Sequence, residues 1–238
     1  MGKDMKIMFL HHSTGSCIWK AGVTEWFAKY NSDNGTNHLL TEQAFPKEKP
    51  YGWNNYPYDY WNIWVKNASD KPYMEEPTLE MLTKEYDVII FKHCYPVSDM
   101  KESNGTPDIG SQEKTLENYK LQYNALKEKM HSFSQTKFIV WTGAARVRSR
   151  TNEKSAMLAN EFFQWVKNDW DEKNDNIFIW DFNELETEGS LYFRNTNSFS
   201  ESDSHPNETF SKKTTPLLCQ RIANVIEGKG DSTSLIGE

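Results

Sequence analysis

Residues 86–91 read Tyr-Asp-Val-Ile-Ile-Phe and stop at Lys92-His93-Cys94-Tyr95-Pro96. A run this short, β-branched and almost unbroken in apolar character predicts a strand buried on both faces. Such strands belong to parallel sheets, whose crossover helices cover both sides. Ile7–Leu10, Lys137–Trp141 and Asn176–Trp180 repeat the pattern, and His38–Phe45 reads as a further strand.

Between the runs the apolar spacing changes to three and four residues, the period of a helix with one buried face. Val23, Trp26, Phe27 and Tyr30 mark a helix over Trp19–Tyr30. Leu116, Tyr119, Tyr123, Leu126 and Met130 mark one over Glu113–Phe133, and Met157, Leu158, Phe162, Trp165 and Val166 one over Thr151–Trp170. Phe210, Leu217, Leu218, Ile222 and Val225 define a last helix over Thr209–Glu227, in which Pro216 marks a kink or the true start. Thr78–Glu85 is a shorter helix. Strands alternating with amphipathic helices give a three-layer α/β/α fold with a flavodoxin-like parallel sheet. A length of 238 residues suits one such domain, and the tail from Gly228 is expected to fray.

Residues 46–77 break the alternation. Five prolines and the aromatics Tyr51, Trp53, Tyr56, Tyr58, Tyr60, Trp61 and Trp64 crowd this stretch. It reads as an insertion with a short helix over Asp59–Val65, its aromatics either packing under the loop or forming a stacking wall for sugar rings.

Composition narrows the function classes. A net charge of -7 argues against nonspecific nucleic-acid binding, which requires a basic face. Cys17, Cys94 and Cys219 are odd in number and widely separated, unlike a disulfide framework or a zinc motif. No apolar run reaches the roughly 20 residues that span a bilayer. The apolar run after Met1-Gly2-Lys3-Asp4 is too short for a signal peptide, and the compartment stays undetermined.

Two places carry chemistry. The first strand delivers Ser13, in His11-His12-Ser13-Thr14-Gly15, to its carboxyl end, where open α/β sheets bind ligands. A serine hydroxyl becomes nucleophilic when a base removes its proton, normally a histidine oriented by a carboxylate. Ser202-Asp203-Ser204-His205-Pro206 provides both just before the last helix, in the order Ser…Asp…His. Glu201 is the other carboxylate within reach of the histidine. The bland readings are a polar helix cap for Ser13 and a solvated turn for His205. A nucleophile elbow of the α/β-hydrolase type is excluded, because His11 stands at its first glycine position and too few residues precede Ser13. A metal site built from His11, His12, His93 and His205 is an alternative; the serine mechanism itself needs no metal or organic cofactor.

The two blocks together, Ile-Met-Phe-Leu-His-His-Ser-Thr and Ser-Asp-Ser-His-Pro-Asn, resemble the SGNH (GDSL-like) hydrolases. The resemblance extends over roughly Met5 to Gly228 and is that expected of a divergent member. It implies a three-layer α/β/α fold with a serine after the first strand and an Asp–His pair before the last helix. His11-His12 replaces the usual Gly-Asp before the serine. Asp203 lies two residues before His205, where the family has three, and Ser202 occupies the family's position. This Asp-x-His spacing looks like that of SGNH-like polysaccharide O-acetylation proteins, whose motif precedes the serine. The family's oxyanion Asn is missing after Phe91, where Lys92-His93-Cys94-Tyr95 stands, and Gly52 is the candidate for its second-block glycine.

Ser13 N–H is the first expected oxyanion donor, with Gly52, Asn54, Asn55, Lys92 and His93 as others. His11 or His12 is expected to line the site, and Arg146 to clamp substrate, although Arg148 and Arg150 also allow a solvated basic loop. Asp181 reads as a capping residue. The resulting expectation is a serine esterase that acts through an acyl-enzyme on an acyl ester, acetyl foremost, with a small molecule or glycan as substrate. A non-catalytic carbohydrate-binding pseudoenzyme and a glycan O-acyltransferase of the same fold are the alternatives.

Overall fold

The computed structural model describes residues 4–52 and 54–238. Trp53 and the start at Met1-Gly2-Lys3 lie outside the described residues. Five strands, β1 (Lys6–His11), β2 (Leu39–Ala44), β3 (Val88–Lys92), β4 (Lys137–Trp141) and β5 (Ile177–Trp180), form one parallel sheet in the order β2-β1-β3-β4-β5. This is the flavodoxin-like order, whose direction reverses between β1 and β3.

Strand alternation builds the layers. Met8, Leu10, Ile89, Phe91, Phe138, Val140, Ile177 and Ile179 face one side. They meet α3 (Pro57–Trp61), α4 (Leu79–Glu85), α5 (Leu116–His131) and α6 (Glu153–Trp165). Ile7, Phe9, Val88, Ile90, Ile139, Trp141, Phe178 and Trp180 face the other. They meet α1 (Ser13–Trp19), α2 (Val23–Asn34), α7 (Phe182–Thr187) and α8 (Glu208–Ile226). Every sheet strand except the exposed edge β2 is therefore apolar at consecutive positions, as the sequence requires.

Several elements differ from the sequence reading. The helix expected over Trp19–Tyr30 is two, because Gly22 adopts a φ of 120° that ends the first and starts the second. The polar stretch 184–204 holds α7 and one strand of a hairpin, β6 (Ser198–Ser200) with β7 (Asp203–Pro206), so His205 lies on a strand rather than a turn. α8 runs through Pro216.

The tail does not fray. Buried Arg221 donates to the carbonyls of Ile179 and Gly230, while the Leu235 and Ile236 carbonyls accept from Asp181 N–H and Trp180 Nε1 along β5. Among the described residues no helix is long and apolar enough to cross a membrane.

The described aromatics of the 46–77 stretch pack under the loop, the first of the two readings. Tyr56, Tyr60, Trp61 and Trp64 are buried, and Trp64 stacks on Phe45 and meets Phe91 edge-on. Pro57 starts α3, Asp59 caps it by accepting from Tyr56 N–H, and the helix widens into a π turn over Asn62–Lys66 that seats Trp64.

Candidate active site

β1 and β3 are neighbours, so their carboxyl ends meet at the reversal of strand order, where a crevice opens. Ser13 arrives from β1 as the first residue of α1, after the extended His12. Cys94 arrives from β3, its Sγ 4.0 Å from Ser13 Oγ.

The two histidines before Ser13 brace the strand end. His11 is buried, with Nδ1 donating to the His12 carbonyl at 3.0 Å and Nε2 lying 2.7 Å from Glu42 Oε2 on β2. His12 Nε2 donates to the Pro46 carbonyl. Burial pushes the pKa of both down; the His12 carbonyl and Glu42 oppose this at His11, and the Pro46 carbonyl opposes it at His12. Gly15 makes room for the His11 ring, since a Cβ there would fall 2.5 Å from His11 Cβ.

His205 and Asp203 share one face of β7. His205 Nδ1 lies 2.6 Å from Asp203 Oδ1, which also accepts the His205 backbone N–H at 3.0 Å. Partial burial would raise the Asp203 carboxyl, but the two hydrogen bonds from His205 and the nearby Arg150 hold it below the usual carboxylate range. With a carboxylate on Nδ1, the Nε2 atom is left to face outward, the arrangement a general base needs. β7 packs beside α1, the helix that Ser13 begins. Ser13 and His205 are not hydrogen-bonded to each other; among the described residues the only hydrogen-bond neighbour of Ser13 Oγ is Cys94.

Strand parity separates the residues after Phe91. Lys92 is fully buried toward α1, its Nζ 3.4 Å from Cys94 Sγ and 5.7 Å from the centre of the Trp141 ring. His93 points to the opposite layer and bonds Tyr123 Oη at 2.7 Å, its pKa driven well down by burial. His93 is thus a core residue, away from Ser13. Among the described residues no group of three or more His, Cys, Asp or Glu converges as metal ligands would.

Gly52, Asn54 and Asn55 have local structural partners or roles. Asn54 N–H is bound by Asp59 at 3.2 Å, and Gly52 permits a φ of 82°. Buried Asn55 donates from Nδ2 to the Phe45 carbonyl and accepts the Cys94 N–H at 3.2 Å, tying this loop to the ends of β2 and β3. Among the described residues its Oδ1 has no hydrogen-bond partner. Asp181 caps α7, as its position after β5 suggested.

Tyr95 and Arg150 were not singled out from the sequence as site residues. The Tyr95 ring meets His205 edge-on, with centroids 5.0 Å apart. Its buried hydroxyl neighbours that of Thr14, and neither is in hydrogen-bond geometry. Arg146 lies 5.4 Å above the Tyr95 ring and is gripped by Asp99 at 2.6 and 2.7 Å. Tyr95, Arg146, Arg150, Phe199, Asp203 and His205 line one open depression of about 520 Å³. The aromatic after Cys94 and the arginine before Thr151 were the only signals in the sequence.

No protein-family model and no curated protein matches the chain. Solved structures do resemble it in fold. An acetyl xylan esterase superposes with a TM-score of 0.51 at 14% identity, over 89% of this chain and 96% of that one. A gut microbial diltiazem-metabolizing enzyme superposes with a TM-score of 0.50 at 10% identity, over 97% of this chain and 47% of that one. Both neighbours are enzymes, and at these identities what they share with this chain is the three-layer α/β/α architecture.

Proposed function

We propose that the protein is a serine esterase of the SGNH-like type, with Ser13 as nucleophile, His205 as base and Asp203 as its orienting partner. The observation that carries this reading is the His205–Asp203 contact of 2.6 Å on a strand packed beside the helix that Ser13 begins. His205 Nε2 takes the Ser13 hydroxyl proton as Oγ bonds to the ester carbonyl carbon. The tetrahedral oxyanion collapses, the ester C–O bond breaks, and the alkoxide leaves with the proton from His205. Water then attacks the acyl-enzyme, again deprotonated by His205, and Ser13 is regenerated. The mechanism requires Ser13 Oγ and His205 Nε2 to come within hydrogen-bond reach in the substrate complex, and catalytic hydrogen bonds often tighten only with substrate bound.

Negative charge on the carbonyl oxygen needs donors in place beforehand. Ser13 N–H is one. The buried Lys92 ammonium, behind Cys94, is the candidate for the role that an asparagine plays in the family this chain resembles. The buried Thr14 and Tyr95 hydroxyls, which neighbour each other, are further candidate donors. The substrate class is an acyl ester, acetyl being the simplest, on a carbohydrate alcohol; the fold likeness to an acetyl xylan esterase agrees with it.

The test is turnover of p-nitrophenyl acetate by wild type, Ser13→Ala and His205→Ala, with circular dichroism to check folding. Turnover in wild type that both variants lose supports the reading. Wild-type turnover that survives in Ser13→Ala overturns it.

A further inference from the structure

We propose that the depression beside His205 is a subsite for an anionic sugar, with Arg150 holding its negative group and Phe199 stacking on its ring. This rests on the esterase reading only for the orientation of the substrate. His205 returns its proton to the leaving alcohol, so the surface around His205 faces the alcohol half of the ester. That surface is the depression of about 520 Å³ described above.

The charges there are unequally committed. Asp203 is engaged by the ring and backbone of His205. Arg146 is neutralised by Asp99 through Nε and Nη2, which leaves Nη1 as an oriented donor. Arg150 has no ion-pair partner among the described residues, yet it lies close enough to Asp203 to lower that carboxyl's pKa.

The backbone that carries the exposed Arg150 side chain is fixed in place. Arg150 ends the turn 148–150 with its N–H on the Val147 carbonyl. That turn is stapled to the hairpin by Ser149 Oγ donating to the Glu201 carbonyl and by Val147 N–H donating to Ser204 Oγ at 3.0 Å. A guanidinium on a braced turn is suited to a carboxylate or sulfate, which accept two parallel hydrogen bonds.

Phe199 supplies the second half of the argument. It is 72% exposed, on β6 at the rim of the same depression. An aromatic face held in water beside a charged fork matches a sugar ring bearing an acid. The net charge of -7 does not oppose this, since at physiological salt it is screened beyond about 8 Å.

The test compares kcat/KM on three O-acetylated probes: methyl glucuronoside, methyl glucoside 6-sulfate and neutral methyl glucoside. A charge-assisted pair predicts about a tenfold preference for an anionic probe, a ratio that falls toward one in Arg150→Gln and is partly restored in Arg150→Lys. The uronate and sulfate arms show which acid the subsite takes. Equal kcat/KM on all three probes overturns the subsite and leaves the esterase standing. NMR titration of the deacetylated probes against wild type and Arg150→Gln covers the case in which none is hydrolysed. Shifts at residues 199–205 with the anionic probes alone, lost in Arg150→Gln, support the subsite while the esterase reading fails. Their absence overturns the subsite.

Discussion

Lys92 Nζ lies 3.4 Å from Cys94 Sγ, fully buried beneath the helix that Ser13 begins and without an ion pair among the described residues. A buried charge without an ion-pair partner is costly to keep, and the proposed mechanism gives Lys92 a use as oxyanion donor. Lys92→Met is expected to lower kcat by about 10²–10³-fold with little change in KM, as when one oxyanion donor is lost. Thermal melting is expected to stay level or rise, because a well-packed apolar chain replaces a buried charge. Steady-state kinetics together with a melt separate this role from a purely structural one, in which Tm would fall and kcat would not.

Asp203 Oδ1 lies 2.6 Å from His205 Nδ1, and in the proposed mechanism it orients that ring. Asp203→Asn keeps the shape and removes the charge, and is expected to cost about 10²-fold in kcat/KM without unfolding the hairpin. The Asp203 carboxyl is held low, so its stabilising contribution is present above the unfolded carboxylate range and is lost as the pH falls through the folded value. Acid titration of Tm in wild type and Asp203→Asn should therefore converge at low pH.

Glu186 offers a pH signature independent of catalysis. Its side chain is fully buried; among the described residues Oε2 accepts only the Ala145 N–H at 2.7 Å and Oε1 has no hydrogen-bond partner. Burial raises its pKa from 4.5 to about 8, with that backbone bond and Lys92 opposing. The folded state therefore binds the proton more tightly than the unfolded state. The contribution is fully present below pH 4.5 and is lost as the pH rises through about 8. Glu186→Gln mimics the protonated acid, so its Tm advantage over wild type should widen from pH 5 toward 8 or above. A gap that stays constant with pH would show that Glu186 is ionised throughout.

Gly15→Ala sets two effects against each other. Alanine favours a helix interior by about 1 kcal/mol over glycine. Here, however, its Cβ would sit 2.5 Å from His11 Cβ, and overpacking of this kind costs about 1–3 kcal/mol. Net destabilisation in urea is expected, together with lost activity, because α1 must move and it carries Ser13.

The aromatic stretch and the rim aromatic should respond in opposite ways. Trp64→Ala empties a core position and is expected to cost about 3–5 kcal/mol in chemical denaturation. Phe199→Ala, at an exposed site, should leave that midpoint in place and raise KM for a glycosyl ester.

Much of the architecture is legible from local pattern. Val88–Phe91, Ile7–Leu10 and Phe138–Trp141 are apolar at every position, which only a doubly covered parallel sheet satisfies. Asp203 and His205 are two residues apart, and a strand brings i and i+2 to one face, so their pairing needs no long-range information. Between the two readings of the aromatic stretch, packing and a sugar wall, local pattern could not choose: aromatic composition does not say which side of a helix meets the core, and here Tyr60 and Trp64 turn inward against Phe45 and Phe91.

By itself, then, the sequence determined the strand and helix alternation, the position of Ser13 at a strand's end and the Asp203–His205 pair, because each depends on spacing within a few residues. Only the tertiary structure decided the rest. The strand order sets Cys94 beside Ser13, the parity of β3 sends Lys92 under α1 and His93 into the opposite layer, and the hairpin lays Arg150, Tyr95 and Phe199 around His205. Those contacts join segments up to about a hundred residues apart, and the energy that selects them is the burial of whole faces, which no local pattern specifies.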